Sequence, residues 1–579
     1  MVAAPLQELN PTRNILMRSN KRNTPALDRR AFLRSSGSAA AAVALVSQGY
    51  ATGLWAQTAP AAASASALVD TTAGKIRGVL SDGVNVFKGV PYGASTAGAA
   101  RFMPPAKPVP WTGVRDAFEL GQRAPQGGQD IMFITFPELE RPEPEGEDCL
   151  RLNVWTPAAD AVRRPVMVWL HGGGYATGSG GFIAYDGANL ARHEDVVAVT
   201  VNHRLNVFGF LNVAALGGDR FAQSSNLGMQ DIVAALQWVH DNIGQFGGDS
   251  GNVTIYGQSG GGGKVSTLLA MPAAKGLFHR AIIESGSTVR ESTSDAAASI
   301  AQEYLGLLKL KTVDELQQLP LAQIRAQMFA STAGPFRMPA PGARPAFSVL
   351  ALGPFVDGHW LPNQLTDPTG LALSADIPLL TGCNETELTF FPGAQLEPID
   401  EAALHAQVKT MLHTDDSSAD RIIAAYRTSR PAATPLDIAQ ALASDQWIRK
   451  NMHEQVDLKI SERKAPVYVY YFNWRTPVKD GKLKACHCLE IPFVMHNLQA
   501  MQPMIGSGAE LPAMADAISG AWAAFARTGK PDHASLPHWP AYELARRPTM
   551  MLNASPKLID DPEREERAAL GSAVQLSPA

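Results

Sequence analysis

The stretch Gly257-Gln258-Ser259-Gly260-Gly261 decides the fold of this chain. It follows a strand-like run at residues 252–256 and precedes a helix-like run at residues 264–269. A G-x-S-x-G pattern between a strand and a helix predicts a nucleophile elbow, a turn so sharp that the serine side chain projects from it. Glycine is expected on both sides because a Cβ there would collide with the neighbouring strand or helix. The stretch therefore predicts an α/β protein in which Ser259 is a nucleophile.

A glycine loop upstream supplies candidate donors for the oxyanion that forms when a serine attacks a carbonyl. The apolar run at residues 165–170 predicts a buried strand, and His171-Gly172-Gly173-Gly174-Tyr175 follows it. Such a loop leaves backbone N–H groups uncovered, so those of Gly173, Gly174 and Gly260 are predicted to form an oxyanion hole. The alternative is a flexible turn with no part in catalysis.

Further segments of the chain resemble, in order, the signature motifs of the type-B carboxylesterase/lipase family, which are relatives of the cholinesterases. The resemblance spans about residues 69–552. It implies an α/β-hydrolase fold, with a large, mostly parallel sheet flanked by helices and a helical cap and long loops over the active-site gorge. Residues 292–328 have helical spacing and are expected in that cap. The matching segments are residues 89–92 with 101–102, 147–154, 202–210 (His203 where the family usually has Tyr), 246–254, 522–531 and 539–542.

The resemblance also implies the acid of a catalytic triad. The run at residues 377–382 predicts a strand, and the acid loop follows it. The family shows G-x-x-x-[DE]-E-G where this chain has residues 382–388, and its last Glu corresponds to Glu387. Thr386 and Leu388 depart from the family pattern at this loop. Glu385 therefore remains a competitor for the role.

The base lies in residues 485–493, which resemble the family's [FA]-H-x-x-[DE]-[LI]-P-[FY] and so imply His487. The order Ser259, Glu387, His487 is that of the α/β-hydrolases. Glu490 is expected to anchor a loop through a salt bridge. The Ser285 side chain is expected to form a hydrogen bond near the elbow.

Composition fits one large catalytic domain, which we place at residues 67–579. The chain has 579 residues, 45% of them hydrophobic, and a net charge of −4. The predicted site residues are spread from Gly173 to His487, so no domain boundary between them leaves the site intact. The sequence has no basic stripe for nucleic acid and no run of about twenty apolar residues for a membrane span. The oligomeric state stays open.

The first 66 residues are predicted to be a twin-arginine signal peptide followed by an Ala/Ser-rich linker. Asp28-Arg29-Arg30-Ala31-Phe32-Leu33-Arg34 matches the export pattern R-R-x-F-L-K, and an Ala-rich stretch at residues 39–46 follows it. Cleavage is expected between residues 51 and 65. The alternative is a disordered basic arm. The pattern favours a periplasmic or secreted protein that uses the twin-arginine export machinery as a partner.

Four cysteines are few for an exported protein of this size. Cys149 lies where the family often has half of a disulfide, but no earlier cysteine could pair with it. A bridge from Cys383 to Cys486 or Cys488 and free buried thiols both remain open. The consecutive Cys486-His487-Cys488 cannot readily converge on one metal ion, so no metal is expected. The serine mechanism that the resemblance implies needs no cofactor.

The residues favour a serine carboxylic-ester hydrolase that acts through an acyl-enzyme. The alternatives are an amidase or lipase on the same triad, or a non-catalytic binding protein. Residues 133–147 contain no Trp for cation–π binding of a quaternary ammonium, and Gln258 stands where many family members have an acid. Both features favour neutral short- to medium-chain aliphatic or aryl esters as the small-molecule substrate. The carboxylates of Glu138, Glu140, Glu143, Glu145 and Glu147 are expected to be solvated.

Overall fold

A thirteen-stranded sheet forms the centre of the computed structural model, which describes residues 64–127, 130–332 and 351–574. The strand order is β1-β2-β3-β5-β7-β6-β8-β9-β12-β13-β14-β15, with β4 beside β2; β10 and β11 form a separate pair. The strands are β1 (Ser64–Thr71), β2 (Gly74–Ser81), β3 (Val84–Pro91), β4 (Val114–Asp116), β5 (Arg151–Thr156), β6 (Arg164–Leu170), β7 (Val197–Val201), β8 (Gly248–Gln258), β9 (Arg280–Glu284), β10 (Ser292–Thr293), β11 (Phe355–Val356), β12 (Leu379–Asn384), β13 (Val467–Phe472), β14 (Pro548–Leu552) and β15 (Lys557–Asp560).

The central strands are parallel, and the strands outside them pair antiparallel except for β4, which is parallel to β2. The parallel pairs run without interruption from β7 through β6, β8, β9, β12 and β13 to β14. Strands β6 and β7 are buried at every residue, because helices cover both faces of a parallel sheet. The prediction of an α/β-hydrolase fold with a large, mostly parallel sheet is confirmed.

Helices pack on both faces of this sheet, and others form a separate cluster. They are α1 (Ile131–Thr135), α2 (Ala188–Glu194), α3 (Asn206–Phe210), α4 (Leu227–Asn242), α5 (Gly260–Leu268), α6 (Ser294–Leu307), α7 (Val313–Gln318), α8 (Leu321–Thr332), α9 (Pro368–Leu373), α10 (Glu401–Leu412), α11 (Asp416–Ser429), α12 (Pro435–Ser444), α13 (Lys450–Ser461), α14 (Ile491–Val494), α15 (Gln502–Ile505), α16 (Leu511–Thr528) and α17 (Arg564–Val574). No helix in the described ranges is both long and apolar enough to cross a membrane.

Strand β6 shows how the core is divided. Its alternate residues point to opposite faces, so Val166 and Val168 join an apolar layer with α4 and α5, while Met167 and Trp169 join a second layer with α16. A third, smaller core lies among α10, α11, α12 and α17. The described residues from 64 onward belong to a single compact unit.

The predicted strands are present with shifted ends. The runs at 165–170, 252–256 and 377–382 correspond to β6, β8 and β12. Strand β12 begins two residues later than predicted, since Pro378 has no N–H to donate to a neighbouring strand. Helices α6, α7 and α8 occupy the segment that was expected to be helical. The proline-rich residues 335–345 and the proposed signal segment lie outside the described ranges.

Candidate active site

Ser259 forms the turn between β8 and α5. Its backbone has φ 57° and ψ −126°, a conformation that costs a non-glycine residue about 1–3 kcal/mol and that clusters at functional sites. Two hydrogen bonds hold it there: the Ser259 N–H donates to the Glu284 carbonyl at 2.8 Å, and the Gly263 N–H donates to the Ser259 carbonyl at 2.9 Å. Ser259 is half-buried, so its side chain stays open to a small molecule.

The glycines around Ser259 are required by close packing, as the sequence predicted. A Cβ on Gly257 would lie 2.5 Å from the Leu170 carbonyl oxygen and 2.7 Å from the Gly261 carbonyl carbon. The helix begins at Gly260 and not at Lys264, so the whole glycine run is helical. Glycine is a poor helix former, costing about 1 kcal/mol per residue. A Cβ on Gly260, Gly261 or Gly262 would nevertheless collide with neighbouring backbone, and one on Gly263 would lie 2.7 Å from the Tyr175 hydroxyl. Tertiary contacts therefore override the local preference.

The glycine loop after β6 touches the elbow. A Cβ on Gly172 would lie 3.1 Å from the Gln258 carbonyl oxygen, and a Cβ on Gly260 would overlap the backbone of Gly174. Gly173 and Gly174 have φ of 86° and 61°, in the left-handed region that glycine adopts freely. The structure thus brings together the three glycines that were predicted to donate to an oxyanion.

The carbonyls of Gly172 and Gly173 are held by contacts within the loop. The Gly173 carbonyl accepts from the N–H groups of Thr177 at 3.1 Å and Ala176 at 3.3 Å. The Gly172 carbonyl lies 2.8 Å from His171 Nδ1. Burial lowers the pKa of His171 to about 3, so its ring is neutral and this contact assigns its proton to Nδ1. Because the N–H and C=O of one trans peptide unit point in opposite directions, the Gly173 and Gly174 N–H groups face the other way.

His487 and Glu387 lie in direct contact. His487 Nδ1 is 2.5 Å from Glu387 Oε2, and both side chains are buried. The other Glu387 oxygen accepts the Asn384 N–H at 2.7 Å. The two loops are joined by backbone contacts, since the Thr386 N–H donates to the Ala485 carbonyl at 3.0 Å. This arrangement can hold an imidazole in one tautomer, with the proton on Nδ1 and the lone pair on Nε2.

Glu385, the competitor for the acid, is engaged elsewhere. Its carboxylate pairs with Arg475 at 2.9 Å and with Arg430 at 3.2 Å. These arginines turn the side chain away from His487.

Gln258, the residue before Ser259 in the elbow, contacts the candidate base His487. Its Nε2 lies 3.2 Å from His487 Nε2 and 3.3 Å from Nδ1, and such equal distances place the amide over the ring face. Its Oε1 accepts from the Cys488 thiol at 3.1 Å. The residue before the nucleophile thus packs on the candidate base, which the motif did not reveal.

Three aromatic rings lie beside His487. The ring centroids of Trp447, Phe391 and Phe390 lie 5.3, 5.5 and 6.2 Å from the imidazole. Trp447 belongs to a π-helical segment, Asp445–Arg449, and such bulges are frequent at functional sites. These rings come from residues 390–447 and not from the segment at 292–328 that was expected to cover the site. No sequence motif marked them.

Two buried carboxyl groups lie behind the site. Glu490 accepts from Asn384 Nδ2 at 2.6 Å, and no basic side chain in the described ranges pairs with it, so the predicted salt bridge is wrong. Burial raises the pKa of Glu490 well above its ordinary value and that of Glu284 to about 8. Glu284 accepts from Trp522 Nε1 at 2.7 Å. Burial therefore favours the protonated, uncharged form of both groups.

The structure corrects two other expectations about polar groups. The Ser285 hydroxyl has no partner among the described residues, although the Ser285 N–H donates to the Gly382 carbonyl. The acidic run is not simply solvated. Glu147 forms a buried pair with Arg101, Glu145 pairs with Arg123 and Arg325, and Glu143 accepts from Ser179.

The cysteines are buried free thiols, which decides between the two open alternatives. One group in the described ranges, His193, His496 and Asp516, has side chains that could ligate a metal ion. Its imidazoles stack at 4.0 Å with their planes 14° apart, so their lone pairs run side by side and do not converge. None of the predicted catalytic residues belongs to it.

Comparison with known proteins gives a consistent result. Residues 65–570 match the Carboxylesterase family. The chain is 34% identical over 517 residues to para-nitrobenzyl esterase of Bacillus subtilis, covering 87% of this chain and 98% of that protein. It is 34% identical over 492 residues to phenmedipham hydrolase of Pseudarthrobacter oxydans, covering 82% and 92%. Among solved structures, carboxylesterase EST55 of Geobacillus stearothermophilus is 34% identical with a TM-score of 0.73, covering 87% of this chain and 99% of that one.

Proposed function

The chain belongs to the carboxylesterase family and is a carboxylic-ester hydrolase, and on this premise we propose that Ser259, His487 and Glu387 form its catalytic triad. The observation that carries the proposal is the 2.5 Å contact between His487 Nδ1 and Glu387 Oε2. A carboxylate on Nδ1 keeps the proton there, so Nε2 can accept the serine proton.

The reaction has two halves. His487 accepts the hydroxyl proton as Ser259 Oγ attacks the ester carbonyl, and the N–H groups of Gly173, Gly174 and Gly260 donate to the resulting oxyanion. His487 then gives the proton to the leaving alkoxide as the acyl-enzyme forms. Water repeats the cycle and releases the acid. The chemistry requires no cofactor, and Glu387 stabilises the imidazolium in both halves.

We assign neutral esters with short- to medium-chain aliphatic or aryl groups as the substrate class. Trp447 and Phe391 are half-buried beside the base, so they offer apolar surface to an acyl or aryl group. Gln258, which packs over the His487 ring, carries no charge, and burial favours the uncharged forms of Glu284 and Glu490, so little negative charge beyond that of Glu387 lies near the base to hold a cation. The relative named para-nitrobenzyl esterase supports this class, since its name denotes an ester with an aromatic group.

Export by the twin-arginine route to the periplasm or beyond is part of the proposal. Its support is the Arg29-Arg30 motif with the following Phe32-Leu33 and Ala-rich stretch. Replacing both arginines with lysine should leave precursor in the cytoplasm, measured by cell fractionation with an esterase assay. A double variant that still reaches the periplasm contradicts this route.

The experiment for the triad compares Ser259→Ala with Ser285→Ala. Ser285 is a matched control because it is also a serine with positive φ close to the elbow, and its hydroxyl has no partner among the described residues. Ser259→Ala should lower kcat on p-nitrophenyl butyrate by up to ~10⁶-fold, as triad losses do, while Ser285→Ala stays within about tenfold of wild type. Folding is checked by circular dichroism and thermal unfolding. Folded Ser259→Ala with more than about a hundredth of wild-type turnover contradicts the assignment.

A further inference from the structure

Lys264 is a buried lysine on α5, five positions after Ser259. Its Nζ donates to the backbone carbonyls of His171 and Gly174, each at 2.9 Å. Burial lowers the pKa of its ammonium to about 7, and no carboxylate in the described part of the chain offsets that effect. Burying an amine without compensating bonds is costly, so these two carbonyls are what make a lysine tolerable here.

The two carbonyls belong to the first and last residues of the segment 171–174 of the glycine loop. The Gly172 carbonyl lies at His171 Nδ1, and the Gly173 carbonyl accepts from Thr177 and Ala176, so the loop itself orients the two inner peptide units. Lys264 holds the two outer ones. Every carbonyl from residue 171 to residue 174 therefore has a polar contact that fixes its direction.

The loop needs such external support because glycines do not fix their own conformation. Gly172, Gly173 and Gly174 lack the side-chain restriction that would disfavour rotation of their peptide units. The Gly174 backbone also packs against Gly260, so a shift at the end of the loop changes its contact with the elbow. A donor fixed on α5 ties the loop to the same helix that begins at the nucleophile.

We propose that Lys264 is a positioning residue for the oxyanion hole, which holds both ends of the glycine loop so that the N–H groups of Gly173 and Gly174 face the oxygen of a reacting ester. This inference rests on the proposed function. Lys264 does not touch the substrate; it acts through the loop. The neutral amine keeps two N–H donors, so deprotonation near neutral pH leaves both carbonyl contacts in place. The Tyr175 ring lies 5.4 Å from Nζ and stabilises the charged form through cation–π attraction.

The test compares Lys264→Met with Lys459→Met. Methionine keeps the length and apolar character of the lysine stem but cannot donate. Lys459 is a matched control because it is also a buried lysine that donates to a backbone carbonyl, that of Ser374, but it lies on α13 and not on the elbow helix. Lys264→Met should lower kcat on p-nitrophenyl butyrate by about 10–100-fold with KM within about threefold, since losing one oxyanion donor costs ~10²–10³ and a displaced donor costs less. Lys459→Met should keep the wild-type kcat.

A second measurement separates positioning from loss of stability. A trifluoromethyl ketone forms an oxyanion with the serine, so its affinity should fall by the same factor as kcat/KM, whereas the matched methyl ketone should bind as before. Unchanged trifluoromethyl ketone affinity in folded Lys264→Met overturns the proposal. Equal losses in the two lysine variants also overturn it. If Lys264→Met does not fold, Lys264→Gln replaces it, because glutamine keeps an N–H donor on a shorter side chain. This variant should show about tenfold lower kcat and about tenfold lower affinity for the trifluoromethyl ketone. Wild-type values of both quantities overturn the proposal.

Failure of the role proposed for Lys264 can be distinguished from failure of the proposed function. Retained turnover in Ser259→Ala would reject the triad whatever Lys264 does. An inactive Ser259→Ala together with a fully active Lys264→Met would reject the role of Lys264 alone.

Discussion

Gly257→Ala should displace the elbow, although alanine is the better residue for a strand on local grounds. The new Cβ would lie 2.5 Å from the Leu170 oxygen, and 2.7 and 2.9 Å from the Gly261 carbonyl carbon and oxygen, all of them backbone atoms. Real Cβ contacts do not fall below 3.0 Å, so β6 and the start of α5 must move apart. Overpacking of this kind costs about 1–3 kcal/mol, against about 0.5–1 kcal/mol gained by removing a glycine, so a net loss is expected.

The effect on the reaction should exceed the effect on stability. Strand β6 carries the glycine loop and α5 follows the serine, so their separation changes the distance between the nucleophile and the oxyanion donors. A misplacement approaching 1 Å can lower the rate about 10²-fold. Urea unfolding and kcat on p-nitrophenyl butyrate measure the two effects. Gly306→Ala is the control, since a Cβ there would meet nothing within 4 Å, and it should raise stability slightly at unchanged kcat. Equal changes in stability and in kcat in Gly257→Ala and Gly306→Ala would refute the reasoning.

Three further predictions concern the acid, the buried carboxyl groups and the substrate. Glu387→Gln should lower kcat by ~10⁴-fold, as loss of the orienting carboxylate does, whereas Glu385→Gln should leave it within about tenfold; the reverse order moves the role to Glu385. The raised pKa of Glu284, about 8, means that the folded protein holds a proton that the unfolded chain releases near 4.5. Stability should therefore fall as pH rises from about 4.5 to 8, and Glu284→Gln should flatten that fall in urea unfolding, with an unchanged slope counting against a buried protonated acid. Short- to medium-chain p-nitrophenyl esters should have a higher kcat/KM than matched choline esters. A choline ester with the highest kcat/KM would overturn the assignment of neutral esters, and a palmitoyl ester with the highest kcat/KM would indicate a lipase.

The elbow and the glycine loop could be predicted because their geometry is local. The serine at positive φ and the glycines that pack against Leu170 lie within a few consecutive residues, so the sequence pattern alone identifies them. The α/β fold class followed from the same stretch, and the buried run of β6 marked a central strand. The ends of the elements were less predictable: α5 begins at Gly260 against helix propensity, because its neighbours leave no room for a side chain.

The surroundings of the site depend on contacts between distant segments. Trp447 reaches His487 from a π-helical bulge, and Glu490 lies against Asn384, with nothing in their local sequence to reveal either contact. The pair of Glu147 with Arg101 likewise joins residues that an acidic run alone cannot connect. Lys264 resembles an exposed helical lysine until its contacts with His171 and Gly174 are seen.

The central claim is that Ser259 becomes acylated during ester hydrolysis. Incubation of the wild-type protein with a fluorophosphonate, followed by proteolysis and mass spectrometry, measures which residue is modified. One label per chain is expected, on the peptide that contains Ser259, with a proportional loss of turnover. His487→Ala should be labelled far more slowly, because the serine then lacks its base. Label on another residue, with hydrolysis lost in parallel, would contradict the account.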